Sequence, residues 1–152
     1  YGEAPDALRR LSRDGESVTE VRTTRLLCGQ YRRGARGPFS FDCIGVAADV
    51  LHQLHGDAAL GAFPSTDPSD PETLQDLDAD LWEEVDENTR EPGVVVLTEA
   101  PDPETGTMRH HAWTFVDRAR CITATPACGV KIVARTAIRQ PIVGCYRLRG
   151  AR

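Results

Sequence analysis

No apolar run in the 152-residue chain approaches the roughly 18–20 residues that carry a helix across a bilayer. The expectation is therefore no membrane partner. A charged start followed by an apolar stretch and a small-residue cleavage site is also missing, so no signal peptide is visible. The chain begins at Tyr1 rather than Met, and a leader already trimmed away would leave no trace. Internal repeats, low-complexity tracts and a dividing linker are absent too, so 1–152 reads as a single domain with one core. Lysine is almost missing: the 18 basic residues are arginines except for Lys131, which reads as base-composition bias in the gene. Arg32, Arg33 and Arg36 form the only dense basic cluster, and no basic face with interleaved aromatics exists, which argues against a nucleic-acid partner. There is no CxxC pair, and His110-His111 lacks the i,i+4 spacing of helical metal ligands. A structural zinc site normally shows paired ligands at short spacing, so no metal is expected.

What is present is an ordinary globular composition, 40% hydrophobic and 27% charged. The net charge of −5 is unevenly spread: 67–91 carries eleven acids against Arg90 alone, leaving the remainder basic. Five cysteines stand at 28, 43, 121, 128 and 145. With Cys43 as a free nucleophile, the other four have the number for two disulfides, but small buried hydrophobes are the preferred reading.

The first half reads as helical. Leu8 and Leu11 mark a short helix over 6–12, and a second is expected over 18–28, ending at Gly29. Two glycines and a proline make 31–41 a loop. The clearest helix opens at Cys43: Ala47, Val50, Leu51 and Leu54 share one face, Asp42 stands at the N-cap, and Gly56 stops it. A further start signal, Ser69-Asp70-Pro71-Glu72, precedes the stripe Leu74, Leu77, Leu81 and Val85, predicting an acidic amphipathic helix. Its acidic face reads as solvated rather than as a docking surface. The second half changes period. Val94–Thr98, Ala112–Val116, Arg120–Ala124, Val130–Ala134 and Ile142–Arg147 are short strand-like runs between turn residues. Helices first and strands later predict an α+β domain with a mostly antiparallel sheet.

A thiol attacks only as thiolate, and a free cysteine near pKa 8.5 is mostly protonated at neutral pH. The N–H groups and dipole of a helix N-terminus favour the anion. A nearby imidazole can take the proton and later deliver it to a leaving amine. Cys43 opens the best helix, and His110-His111 precede a strand, which in outline is the arrangement of papain-type enzymes.

Tyr31-Arg32-Arg33-Gly34, Gly37 and then Phe41-Asp42-Cys43-Ile44-Gly45-Val46 resemble the signature of the NlpC/P60 family of cysteine peptidases. In that signature a Tyr-Arg-x-Gly segment leads into Asp-Cys-Ser-Gly, and the separation of twelve from Tyr31 to Cys43 matches without a gap. Downstream, Pro92–Leu97 resembles the family's Pro-Gly-Asp-Leu-Val-Phe strand and His111–Val116 its His-Val-Gly-Ile-Tyr-Ile strand. Cys121–Thr125 resembles Phe-Ile-His-Ala-Ser, in register when counted from His111, and Gly129-Val130 and Ile142–Arg147 fit the last two strands. The resemblance covers about 26–148 and implies a papain-like NlpC-type fold.

It also implies roles. Cys43 would be the nucleophile and His111 the general base and acid. Tyr31, with the Cys43 backbone N–H, would stabilise the oxyanion. Thr123 would hold the imidazole. Asp42 would cap the helix and meet the free amine of the substrate, and Arg32, Arg33 and Arg36 would border the cleft, within reach of stem-peptide carboxylates. Two positions depart from the pattern: Ile44 stands where Ser is usual, and Thr123 where His, Asn or Gln is usual. His110 competes with His111, because side chains alternate along a strand; register with Thr123 favours His111. His52 and His55 read as solvent-exposed helix residues, and Trp82 and Trp113 as core or groove lining.

The activity implied is hydrolysis of an amide in the peptidoglycan stem peptide, the γ-D-glutamyl–diaminopimelate bond, through an acyl-enzyme and without cofactors. A lone domain ending in Ile-x-Gly-x-Tyr-Arg resembles phage-tail wall peptidases, with tail-tip or hub proteins as partners and the virion tail or bacterial periplasm as location. The alternatives are an injected antibacterial amidase and a non-catalytic structural plug or hub subunit.

Overall fold

The computed structural model describes residues 20–59, 62–63, 79–102 and 104–149. The elements are α1 (Thr24–Leu27), β1 (Gln30–Tyr31), β2 (Ser40–Phe41), α2 (Cys43–His55), β3 (Trp82–Val85), β4 (Val95–Pro101), β5 (Met108–Phe115), β6 (Arg120–Thr125), β7 (Gly129–Ala134) and β8 (Ile142–Leu148). Six strands form one antiparallel sheet in the order β3-β8-β4-β5-β6-β7. The expected α+β class is therefore the observed one, and each of the five strands predicted in the second half is found within a few residues of its bounds.

α2 forms where its sequence says it should. Asp42 is extended and accepts the Gly45 N–H through its side chain, and Gly56 ends the helix at φ 59, a conformation costly for a residue bearing Cβ. Ile44, Ala47 and Leu51 of α2 pack on Val95, Leu97, Ala112, Trp82 and Leu148. Val46 and Val50 pack on Ile122, Ala124, Val130, Leu26 and Phe41. The alternate residues of the same strands, Val94, Val96, Trp113, Phe115 and Cys121, build a further cluster on the other side of the sheet. The sheet is thus apolar on both faces, and α2 covers one of them.

Two helix expectations change. Residues 20–23 are not helical, and α1 has a single turn. Gln53 of α2 accounts for this: its side chain accepts the Arg22 N–H at 2.7 Å and donates to the Arg22 carbonyl at 3.0 Å. Both backbone groups are thereby taken from a helical ladder. The acidic helix was expected to run through Val85, but Trp82–Val85 is a strand paired with β8. Trp82 is buried and donates its indole N–H to the Ala62 carbonyl, while Glu83, opposite Arg147, forms an ion pair with it at 3.0 Å. These long-range partners outweigh a helical stripe that four residues share with a strand pattern. The predicted helix over 6–12 and the Ser69–Glu72 start signal lie outside the described residues.

Candidate active site

Cys43 is the first residue of α2, and Asp42 fixes how it is presented. The Asp42 carboxylate accepts the Gly45 N–H at 2.6 Å through one oxygen and the Gly34 N–H at 2.8 Å through the other. The Asp42 N–H in turn donates to the Ala35 carbonyl at 3.0 Å. The loop over 34–36 is therefore tied to the first turn of the helix from both sides. Gly45 lies directly against this loop: a Cβ there would overlap the Ala35 carbonyl oxygen and sit 3.1 Å from the Arg36 Cα. That contact gives the glycine of the Asp-Cys-x-Gly segment its physical reason. Asp42 is 1% exposed, and burial raises its pKa against the lowering by the Gly45 and Gly34 amides and Arg36.

The thiol of Cys43 faces the sheet. It packs with Ala112 and Leu97, and the Ala112 backbone N–H is directed at it. Burial pushes the thiol up to about 12, although the amides of Ala112, Ile44 and Cys43 itself act to lower it; the Asp42 charge adds to the rise. The helix N-terminus thus helps the anion as expected, but desolvation wins. Among the described residues no hydrogen bond joins Cys43 to either imidazole.

His111 and Thr123 do come together: Thr123 Oγ1 lies 2.7 Å from His111 Nε2. The same hydroxyl lies 2.7 Å from the Ala112 carbonyl, which can only accept. A threonine has one hydroxyl proton, so it goes to Ala112, and Oγ1 must accept from Nε2–H. The neutral ring is thereby the Nε2–H tautomer, with the Nδ1 lone pair left to take a proton. Burial, then the charge of Lys131, lowers the His111 imidazole to about 4. At neutral pH both groups are uncharged. Thr123→Val keeps the shape and removes only the hydroxyl. If the site is catalytic, kcat should fall roughly ten- to a hundredfold, about 1.4–2.7 kcal/mol; a wild-type rate in a muropeptide assay would show the hydroxyl plays no part.

The remaining sequence candidates are placed as follows. Tyr31 is partly buried, pairs in register with Phe41, and packs against the cluster of Leu26, Val46 and Val130. Arg32 is exposed and lines a concavity with Arg33, Arg36, Phe39 and Ser40. His110 lies in register with Glu99, and its buried Nδ1 has no hydrogen-bond partner. His52 is exposed, His55 is partly buried, and Trp82 and Trp113 are core residues. All five cysteines are free, with Cys43, Cys121 and Cys145 buried and Cys28 and Cys128 exposed.

A polar network behind His111 escaped the sequence reading. The imidazole meets the Trp113 ring edge-on, with centroids 4.9 Å apart and planes at 78°. The indole N–H donates to Thr98 Oγ1 at 2.8 Å, and that hydroxyl donates to Gln140 Oε1 at 2.8 Å. Lys131 Nζ stands 5.9 Å from the Trp113 centroid. Two signals pointed here: the two-residue spacing of His111 and Trp113, and the solitary lysine.

This architecture matches solved structures, among them two from one organism. NlpC1 from Trichomonas vaginalis superposes with a TM-score of 0.59 at 20% identity, over 88% of this chain and 44% of that one. NlpC2 from the same organism gives 0.57 at 19% identity, over 82% of this chain and 42% of that one. The chain therefore spans less than half the length of each. No family model matches, and no curated protein matches in sequence. The likeness establishes the fold, which is α+β, NlpC-like and papain-type.

Proposed function

We propose that the chain is a cysteine peptidase that hydrolyses the γ-D-glutamyl–diaminopimelate amide of the peptidoglycan stem peptide. The observation that carries this reading is the 2.7 Å contact of Thr123 Oγ1 with His111 Nε2, which leaves Nδ1 as a base. Cys43 at the start of α2 and the NlpC-like fold support it.

As Cys43 attacks the amide carbon, His111 Nδ1 takes the thiol proton, so the two neutral groups need no resting ion pair. The Cys43 backbone N–H and the Tyr31 hydroxyl receive the oxyanion. The imidazolium then gives its proton to the departing amine, leaving a thioester. His111 next deprotonates water, which releases the acid and returns the thiol. Arg32, exposed at the concavity, meets a stem-peptide carboxylate. Asp42 acts through its cap. A phage tail, with hub or tail-tip partners, is the proposed setting, supported by the resemblance of the closing Ile142–Arg147 segment; delivery as an antibacterial amidase is the other.

Mass spectrometry of purified muropeptides, incubated with wild type and Cys43→Ala, tests this. Wild type should yield two fragments whose masses sum to substrate plus one water, and Cys43→Ala none. Intact muropeptides after incubation with folded wild type would sink the reading. One observation favours a second reading, a structural subunit without turnover: Cys43 is only 8% exposed and its thiol is pushed up to about 12. In that case Cys43 should alkylate no faster than an ordinary buried thiol, and no fragment should appear.

A further inference from the structure

Lys131 is the one lysine among 18 basic residues, and its place in the fold is particular. It pairs in register with Thr123 across β6 and β7, so the two side chains share a face. That face also holds Trp113, over which the ammonium stands at 5.9 Å from the ring centroid. Trp113 in turn meets His111 edge-on at 4.9 Å and is itself pinned by the Thr98 hydroxyl at 2.8 Å. Lys131 is therefore one residue removed from the imidazole along two routes, through Thr123 and through Trp113.

We propose that Lys131 is a positioning residue for His111, its ammonium standing across Trp113 and Thr123 and holding the imidazole in its neutral, proton-accepting form in acidic solution.

A cation near an imidazole disfavours a second positive charge, and a partly buried setting strengthens the effect. The other groups around His111 bear on it differently. Thr98 of β4, Thr123 of β6 and Gln140 before β8 are uncharged. Arg109, two residues earlier on β5, is matched by Asp102 at 3.6 Å. Glu99 of β4 lies in register with His110 rather than His111. Asp42, at the start of α2, gives its carboxylate to the Gly45 and Gly34 amides. Burial is the larger cause of the lowered imidazole, and Lys131 is the charge that adds to it. The stack on Trp113 fixes where that charge sits, because an ammonium over an indole face is held by the ring quadrupole.

The consequence rests on the proposed hydrolase for its kinetic part only. A base that stays unprotonated in mildly acidic solution keeps the site competent below the ordinary histidine range. The test is histidine side-chain NMR titration of the full chain as wild type, Lys131→Met, Lys131→Gln and Lys131→Arg. The His111 midpoint should rise by about half to one pH unit in both neutral variants and return toward wild type in Lys131→Arg. An unchanged midpoint in whichever neutral variant keeps the wild-type amide spectrum overturns the proposal. Where muropeptides are cleaved, the acid limb of kcat/KM should move by the same amount. Absence of cleavage counts against the hydrolase alone, since the NMR midpoint is read without substrate.

Discussion

His111→Ala should abolish muropeptide cleavage, at least about 10⁴-fold and to the level of Cys43→Ala, while His110→Ala stays within about threefold of wild type. The separation follows from what each ring touches. His111 is held by Thr123 and braced by Trp113, whereas His110 has a buried Nδ1 with no partner and lies in register with Glu99. The ratio of the two variants, measured with the same muropeptide, is the decisive reading; the opposite order would mean that the neighbouring ring serves the thiol. The pH dependence follows with a definite sign. The imidazole is lowered from 6.5 to about 4, so the folded state binds its proton less readily than the unfolded chain. Its contribution to stability is present above pH 6.5 and is lost as pH falls through about 4. Urea denaturation across that window should show a loss in wild type that His111→Ala does not share. The acid limb of the rate should likewise lie near 4, since above it the base is free.

Gly45→Ala should destabilise the fold by roughly 2–3 kcal/mol, against the gain of about 1 kcal/mol that alanine ordinarily brings to a helix. The added Cβ would meet backbone, the Ala35 carbonyl oxygen and the Arg36 Cα, rather than the flexible end of a side chain. Relief by moving the loop is restrained, because Ala35 accepts from Asp42 at 3.0 Å and Gly34 donates to Asp42 at 2.8 Å. Any shift also disturbs the cap that presents Cys43. A urea midpoint equal to or above wild type would show that the loop can move without loss. The prediction concerns the fold and stands whether or not the chain turns over substrate.

Some of this protein is determined by short stretches of sequence. α2 is one case: Asp42, the apolar spacing through Leu51 and Gly56 act within a few residues of one another, and the helix lies where they place it. The five later strands are another, since β-rich runs between turn residues leave little choice. The approach of Thr123 to His111 was also legible, because counting residues along two strands joined by a short turn sets their register. Other features belong to the tertiary structure alone. Trp82–Val85 became a strand because β8 offered partners and Ala62 an acceptor, neither of which is near in sequence. The segment 20–23 stayed out of a helix because Gln53, on another element, took its backbone groups. The helix N-terminus alone would lower the thiol of Cys43, yet burial against the sheet, with the Asp42 charge adding to it, sends it up to about 12. Gly45 and Lys131 tell the same story at the site itself. The glycine is required by a carbonyl ten residues earlier, and the lysine stands over a tryptophan on another strand. Capping, periodicity and turns are local and survive in the sequence, whereas desolvation, close packing and charge at a distance arise only when remote segments meet.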